Sequence, residues 1–125
     1  MDDNELREMD VKVQHALYPE WRIEKREWKR GIDYRAILPG DGPNTWLKDI
    51  PLPWYTTDIA DWEPVYALKP GWMWRIKQAA SCVWVSLTAG DVRITEAVNA
   101  GDATWLAAWA LGMARCVIAW AEEKR

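Results

Sequence analysis

A chain of 125 residues, half of them hydrophobic, sets one domain over 1–125 with one core. The 16 Lys and Arg against 19 Asp and Glu leave a net charge of −3, which argues against a global field for nucleic acid. Two cysteines, Cys82 and Cys116, exclude a disulfide-stapled scaffold and read as reduced, buried thiols.

The opening residues Met1-Asp2-Asp3-Asn4-Glu5 are acidic and lack an apolar run, so no secretory signal is expected. Leu6, Met9, Val13, Ala16 and Leu17 then line one helical face. Asp2 and Glu5 have capping-box spacing, and Pro19 ends the helix at or before Tyr18. Residues 19–36 carry two signals. Pro19 and Gly31 bracket a short helix over 20–30, while Trp21, Ile23, Ile32, Tyr34 and Ala36 alternate like strand residues. The favoured reading is an irregular or helical piece followed by a strand near 32–38. Residues 39–55, with Pro39-Gly40-Asp41-Gly42-Pro43-Asn44, Pro51 and Pro53, read as a long loop, which in a small domain is often functional.

Thr56-Thr57-Asp58 opens a helix with Ile59, Trp62, Tyr66 and Lys69 at helical spacing. Two starts are open. From Asp58, Pro64 is interior and kinks the helix; from Trp62, it sits in the permitted first turn. Pro70-Gly71 ends this helix. Three alternating strands follow, around Trp72–Lys77, Cys82–Leu87 and Val92–Thr95, with connections short enough for an antiparallel meander. The last segment is a helix from about Asp102, its expected N-cap, to Glu123. Leu106, Ala110, Met113, Val117 and Ala121 form one face; Trp105, Trp109, Gly112, Cys116 and Trp120 form another. A helix apolar on two sides needs two covers: the sheet, and a helix, loop or second subunit. Arg115 lies well inside the segment and argues against a membrane span. The elements describe an α+β fold with an antiparallel sheet of about four strands and helices.

The stretch Trp54-Tyr55-Thr56-Thr57-Asp58-Ile59-Ala60, with Trp62-Glu63 and Val65, resembles the Phage ABA sandwich domain family, which carries Tyr-Ser-Thr-Asp-Ile-Ala before an Ala-Trp-Glu-Val helix. The end is similar too: Gly101-Asp102-Ala103-Thr104 opens a helix running Leu106-Ala107-Ala108 to Cys116. Thr56 replaces a serine, Pro64 interrupts the first helix, and 19–55 is longer and richer in Trp. The resemblance implies an α-β-α sandwich, with the sheet layered between helices, and a phage origin. It implies no activity.

Catalytic signatures are sparse. His15, the one histidine, lies on a helix with no signalled partner. No Cys or His spacing fits a metal, and no glycine-rich loop fits a phosphate cradle. Asp58 and Asp61 are explained by a helix start. No enzyme, metal or cofactor is expected.

The aromatic usage is unusual: 11 Trp, 4 Tyr and no Phe. Trp combines a large apolar face with one N–H, which suits half-wet surfaces. Trp28, Arg30, Trp46, Trp54, Tyr55, Thr57 and Asp58 are therefore the candidate ligand-binding residues. Trp28 and Arg30 belong to a basic-aromatic stretch, Trp21–Arg35, whose simpler reading is a solvated face of ion pairs. Trp72, Trp74 and Trp84 are read as core, and Trp105, Trp109, Gly112, Cys116 and Trp120 as a candidate self-association face. The leading expectation is a non-enzymatic phage accessory protein in the host cytoplasm. It would bind a small ligand or a host protein, one version being sequestration of a nucleotide signal in counter-defence. The alternative is an assembly protein that forms homo-oligomers through its last helix. Membrane and nucleic acid are not expected partners.

Overall fold

A computed structural model describes residues 2–40, 46–101 and 104–124, the side chains of Pro39, Trp46 and Leu47 excepted. Helix α1 spans Asp3–Leu17, and Asp2 caps it by accepting from the Glu5 N–H. Strands β1 (Arg22–Trp28), β2 (Gly31–Pro39) and β3 (Trp46–Pro51) follow. A 3-10 turn (Ile59–Trp62) leads into α2 (Glu63–Leu68), then come β4 (Met73–Ala79), β5 (Cys82–Ala89), β6 (Val92–Asn99) and α3 (Trp105–Glu123). The class is α+β and every strand pair is antiparallel. The strands divide into two three-stranded sheets, ordered β1-β2-β3 and β4-β5-β6.

Residues 22–28 are a strand, which corrects the helical reading of 20–30. The Pro and Gly that seemed to bracket a helix bracket a hairpin arm, and Lys29-Arg30 form its turn beside Gly31 at φ +139°. Glu24 and Arg26 are good helix formers, but here they make ion pairs along and across strands, Arg22–Glu24 at 3.3 Å and Arg26–Asp49 at 3.7 Å. Tertiary pairing overrides a weak local propensity. The expected loop over 39–55 contains β3. Its two prolines concealed an edge strand, where Pro51 sits at the end and needs no ladder N–H.

Pro64 lies in the first turn of α2, so the later start is the observed one. Helix α3 begins at Trp105 under a Thr104 cap that accepts from Ala107 N–H; Asp102 lies outside the described residues. One face of β4–β6 lies against α3, and α1 packs on another side of α3. Two elements of the same chain thus supply both covers that the helix needs. Among the described residues, no helix is long and apolar enough to cross a membrane.

Glycine at 112 brings α3 onto the sheet, because a Cβ there would collide with Cγ2 of Val85 and lie 3.0 Å from its Cβ. One turn on, Cys116 Sγ–H points to the Val85 carbonyl at 3.2 Å, and burial pushes this thiol up to about 12. A ladder of rings crosses the core edge to face. Tyr55–Trp62, Trp62–Trp74, Trp74–Trp72 and Trp72–Trp120 have centroids 5.4, 5.7, 6.1 and 4.8 Å apart. Each such pair adds roughly 0.5–1.5 kcal/mol beyond its buried area. Trp84 does not join it. Val83 and Val85 take the buried side of β5, so alternation turns Trp84 outward, 37% exposed.

Gly112→Ala is expected to destabilise the protein by about 1–2 kcal/mol in urea unfolding, because overpacking outweighs the helix-propensity gain. A more stable variant would show that α3 does not sit this close to β5. The two buried indoles of the ladder should also differ. Trp62 Nε1–H donates to the Tyr55 carbonyl at 2.8 Å, whereas Trp120 Nε1–H finds no acceptor among the described residues. Trp62→Phe should therefore lose about 1–3 kcal/mol more than Trp120→Phe in the same unfolding assay.

Candidate functional site

Arg7, Asp10 and Gln14 follow one another at spacings of three and four, so they stack along one side of α1. All three are buried. Arg7 pairs with Asp10 at 2.7 Å and donates to the Leu52 and Pro53 carbonyls at 3.0 and 3.1 Å. Its guanidinium lies 3.7 Å from the Trp54 ring centroid. Asp10 accepts the Thr56 N–H at 2.8 Å with its other oxygen. Burial raises the Asp10 carboxyl above its ordinary range, against the pull of Thr56 and Arg7. Gln14 Oε1 accepts the Tyr55 hydroxyl at 2.6 Å, and burial raises that phenol too. One helix face thus holds the connector 52–56 in place.

The held connector forms a wall of a cleft of about 510 Å³. Gln14, Tyr55 and Val65 are its buried floor; Tyr18, Trp21, Lys48, Ile50, Pro53, Asp61 and Pro64 form its sides and rim. The size falls within the range of small-molecule sites. The tight exit from α1, with Trp21 N–H donating to the Tyr18 carbonyl at 3.1 Å, brings the Tyr18 and Trp21 rings to 5.6 Å. Burial raises the Tyr18 phenol, and Glu20 adds to it. Strand β3 places Lys48 and Ile50 on the cleft side, while Asp49 turns to the other face and pairs with Arg35 at 2.9 Å. Asp61 accepts the Trp54 N–H at 2.7 Å.

The seven sequence candidates do not converge. Tyr55 is in the cleft. Trp54, half exposed, covers the Arg7 guanidinium. Thr57 N–H bonds the Trp54 carbonyl, and Asp58 caps the 3-10 turn by accepting from Ala60 N–H at 3.0 Å, so both serve the turn. Trp28 and Arg30 are exposed at the tip of the β1–β2 hairpin, six residues beyond Arg22, or roughly 20 Å along an extended strand. The side chain of Trp46 lies outside the described residues. Tyr18, Lys48 and Ile50 carry no site signal of their own in the sequence. Tyr18 marks only a helix end there, and the prolines around Lys48 and Ile50 give their strand the pattern of a loop.

The self-association face is likewise divided. Gly112, Cys116 and Trp120 are buried within the subunit and unavailable to a second copy. Trp109 is half-buried with Nε1–H on Gln78 at 3.0 Å, which leaves Trp105 as the exposed member. Among the described residues, no three His, Cys, Asp or Glu side chains come together as metal ligands would. In comparisons with protein-family models, curated proteins and solved structures, the chain matches none.

Asp10→Ala would leave the Arg7 guanidinium buried without its carboxylate and the Thr56 N–H without an acceptor. A loss of about 3–5 kcal/mol in urea unfolding is expected. A loss below 1 kcal/mol would mean that the connector is held by apolar packing alone.

Proposed function

We propose that this is a non-catalytic binding protein whose cleft between α1, β3 and the start of α2 takes a small planar ligand. The observation that carries the reading is the paired Tyr18 and Trp21 rings lining, together with Lys48, a cavity of about 510 Å³ with a buried floor. Two tilted rings offer stacking surface, and Lys48 is the cation of the lining. A flat ring bearing an anionic group, as in a nucleotide, uses both together. With the phage resemblance, this supports an accessory protein that sequesters a host nucleotide signal. Self-association through α3 is the weaker reading, because most of that face is spent inside the subunit.

Titration with a panel of mono-, di- and cyclic nucleotides should quench Trp fluorescence and raise the melting temperature for at least one member. Trp21→Ala should weaken that binding roughly tenfold, as expected for loss of one stacking platform. If no member of the panel shifts either signal, or if Trp21→Ala binds as well as the parent, the cleft is not a nucleotide-like site.

A further inference from the structure

The outer face of β4–β6, turned away from α3, is built from alternate residues in register. Met73, Thr88 and Arg93 form one row across the strands; Arg75, Ser86 and Thr95 the next; Lys77, Trp84 and Ala97 the third; Ala79, Cys82 and Asn99 the last. Arg75, Lys77 and Arg93 are exposed, and no Asp or Glu occupies any of these positions. In a chain with more acidic than basic residues this is a segregated charge. Glu96, the carboxylate of β6, points to the opposite face because it pairs with Val85 in the buried row. Among these cations sits the indole of Trp84, 37% exposed, with only Ala97 beside it on β6. Ser86 and Thr95 hydroxyls bond each other at 2.9 Å in the next row. Arg75, Lys77, Trp84, Ser86, Arg93 and Thr95 all line one open concavity of about 680 Å³.

We infer that this face binds single-stranded nucleic acid, with a base stacked on Trp84 and phosphates held by Arg75, Lys77 and Arg93. The argument is charge complementarity joined to a stacking surface. A cationic groove with an aromatic ring in it is how proteins hold single strands without reading sequence. Arg75 and Lys77 stand two residues apart on one strand, about 6.8 Å, and Arg93 extends the line of charge onto the far strand. A solvated ion-pair face is the ordinary explanation for a basic surface, and on β1–β3 it holds, since Arg22, Arg26 and Arg35 are each paired with Glu24 or Asp49. On β4–β6 there is no carboxylate in the face to play that part. A flat anionic membrane is disfavoured because Trp84 and the three cations line one concavity rather than a flat surface. The net charge of −3 does not oppose this, because phosphates at close range meet the local charge under salt screening of about 10 Å.

The test is fluorescence anisotropy of the full chain with labelled ten-nucleotide oligo-dT and oligo-U. Binding at 50 mM salt is expected, weakening at 200 mM with a log–log slope of about −2, as three phosphate contacts on a single strand imply. Trp84→Ala should weaken binding about tenfold, and Trp84→Tyr should retain most of it. Arg75→Gln with Lys77→Gln and Arg93→Gln should remove binding. All these positions are on an open face, and unchanged circular dichroism would confirm that each variant folds. Trp21→Ala should leave oligonucleotide binding unchanged, which separates this face from the cleft. The inference is overturned by no binding at 50 mM salt, or by binding indifferent to Trp84. It is equally overturned if polyphosphate or phosphatidylserine vesicles bind while the oligonucleotides do not.

Discussion

The Arg7–Asp10 pair is the interaction on which the arrangement of the two halves rests. It is buried at the middle of α1, and each partner also bonds the backbone of the connector 52–56. That connector is the chain between the first sheet and the layer formed by α3 and β4–β6. Coulomb attraction alone does not justify such a pair, since removing two charges from water opposes burial. What justifies it is the completeness of the bonding. The guanidinium satisfies two carbonyls and the carboxylate an N–H, groups that irregular backbone would otherwise leave without partners. The Leu52 N–H in turn donates to the Tyr34 carbonyl at 3.0 Å, so the same few residues reach β2.

From that anchor the aromatic ladder extends into the main core. Tyr55 is bonded to Gln14 on one side and leans on Trp62 on the other. Trp62 is sealed from solvent and passes the packing to Trp74, Trp72 and Trp120. Lys124 Nζ lies 4.5 Å from the Trp120 ring centroid, closing the ladder with a cation at the surface. Tryptophan in this chain therefore has two physical uses. Some of the rings are structural, replacing phenylalanine in the core at the expense of needing N–H acceptors. Others, including Trp21, Trp54 and Trp84, keep part of a face toward water.

Much of the local structure was legible. Helix α1 announced itself by its apolar spacing, its Asp2 cap and Pro19, and the β4–β6 meander by alternation and short turns. Helix α3 announced itself by an apolar run interrupted only by Arg115 up to Ala121. The site was less legible. Tyr55 stood out as an aromatic in a long connector, but Tyr18 and Lys48 come to it from a helix end and an edge strand. Trp28 and Arg30 lie apart from Tyr55 because residues 22–28 form a hairpin strand, not a helical piece, and carry them out to its tip.

By itself the amino-acid sequence determined those elements whose signals are local: period, cap and turn residue; which of two helix starts Pro64 would serve was decided only in the fold. It also determined that Arg75 and Lys77 share one side of a strand, as Trp84 and Ser86 do, since alternation is a property of one segment. Only the tertiary structure decided which side α3 would cover, and with it that these four, with Arg93 and Thr95, would lie together on an open face. It alone decided that Glu24 and Arg26 would pair in a sheet rather than on a helix. The reason is the same in both cases: register between strands and the choice of buried face depend on residues far apart in the chain, and no local pattern encodes that partner.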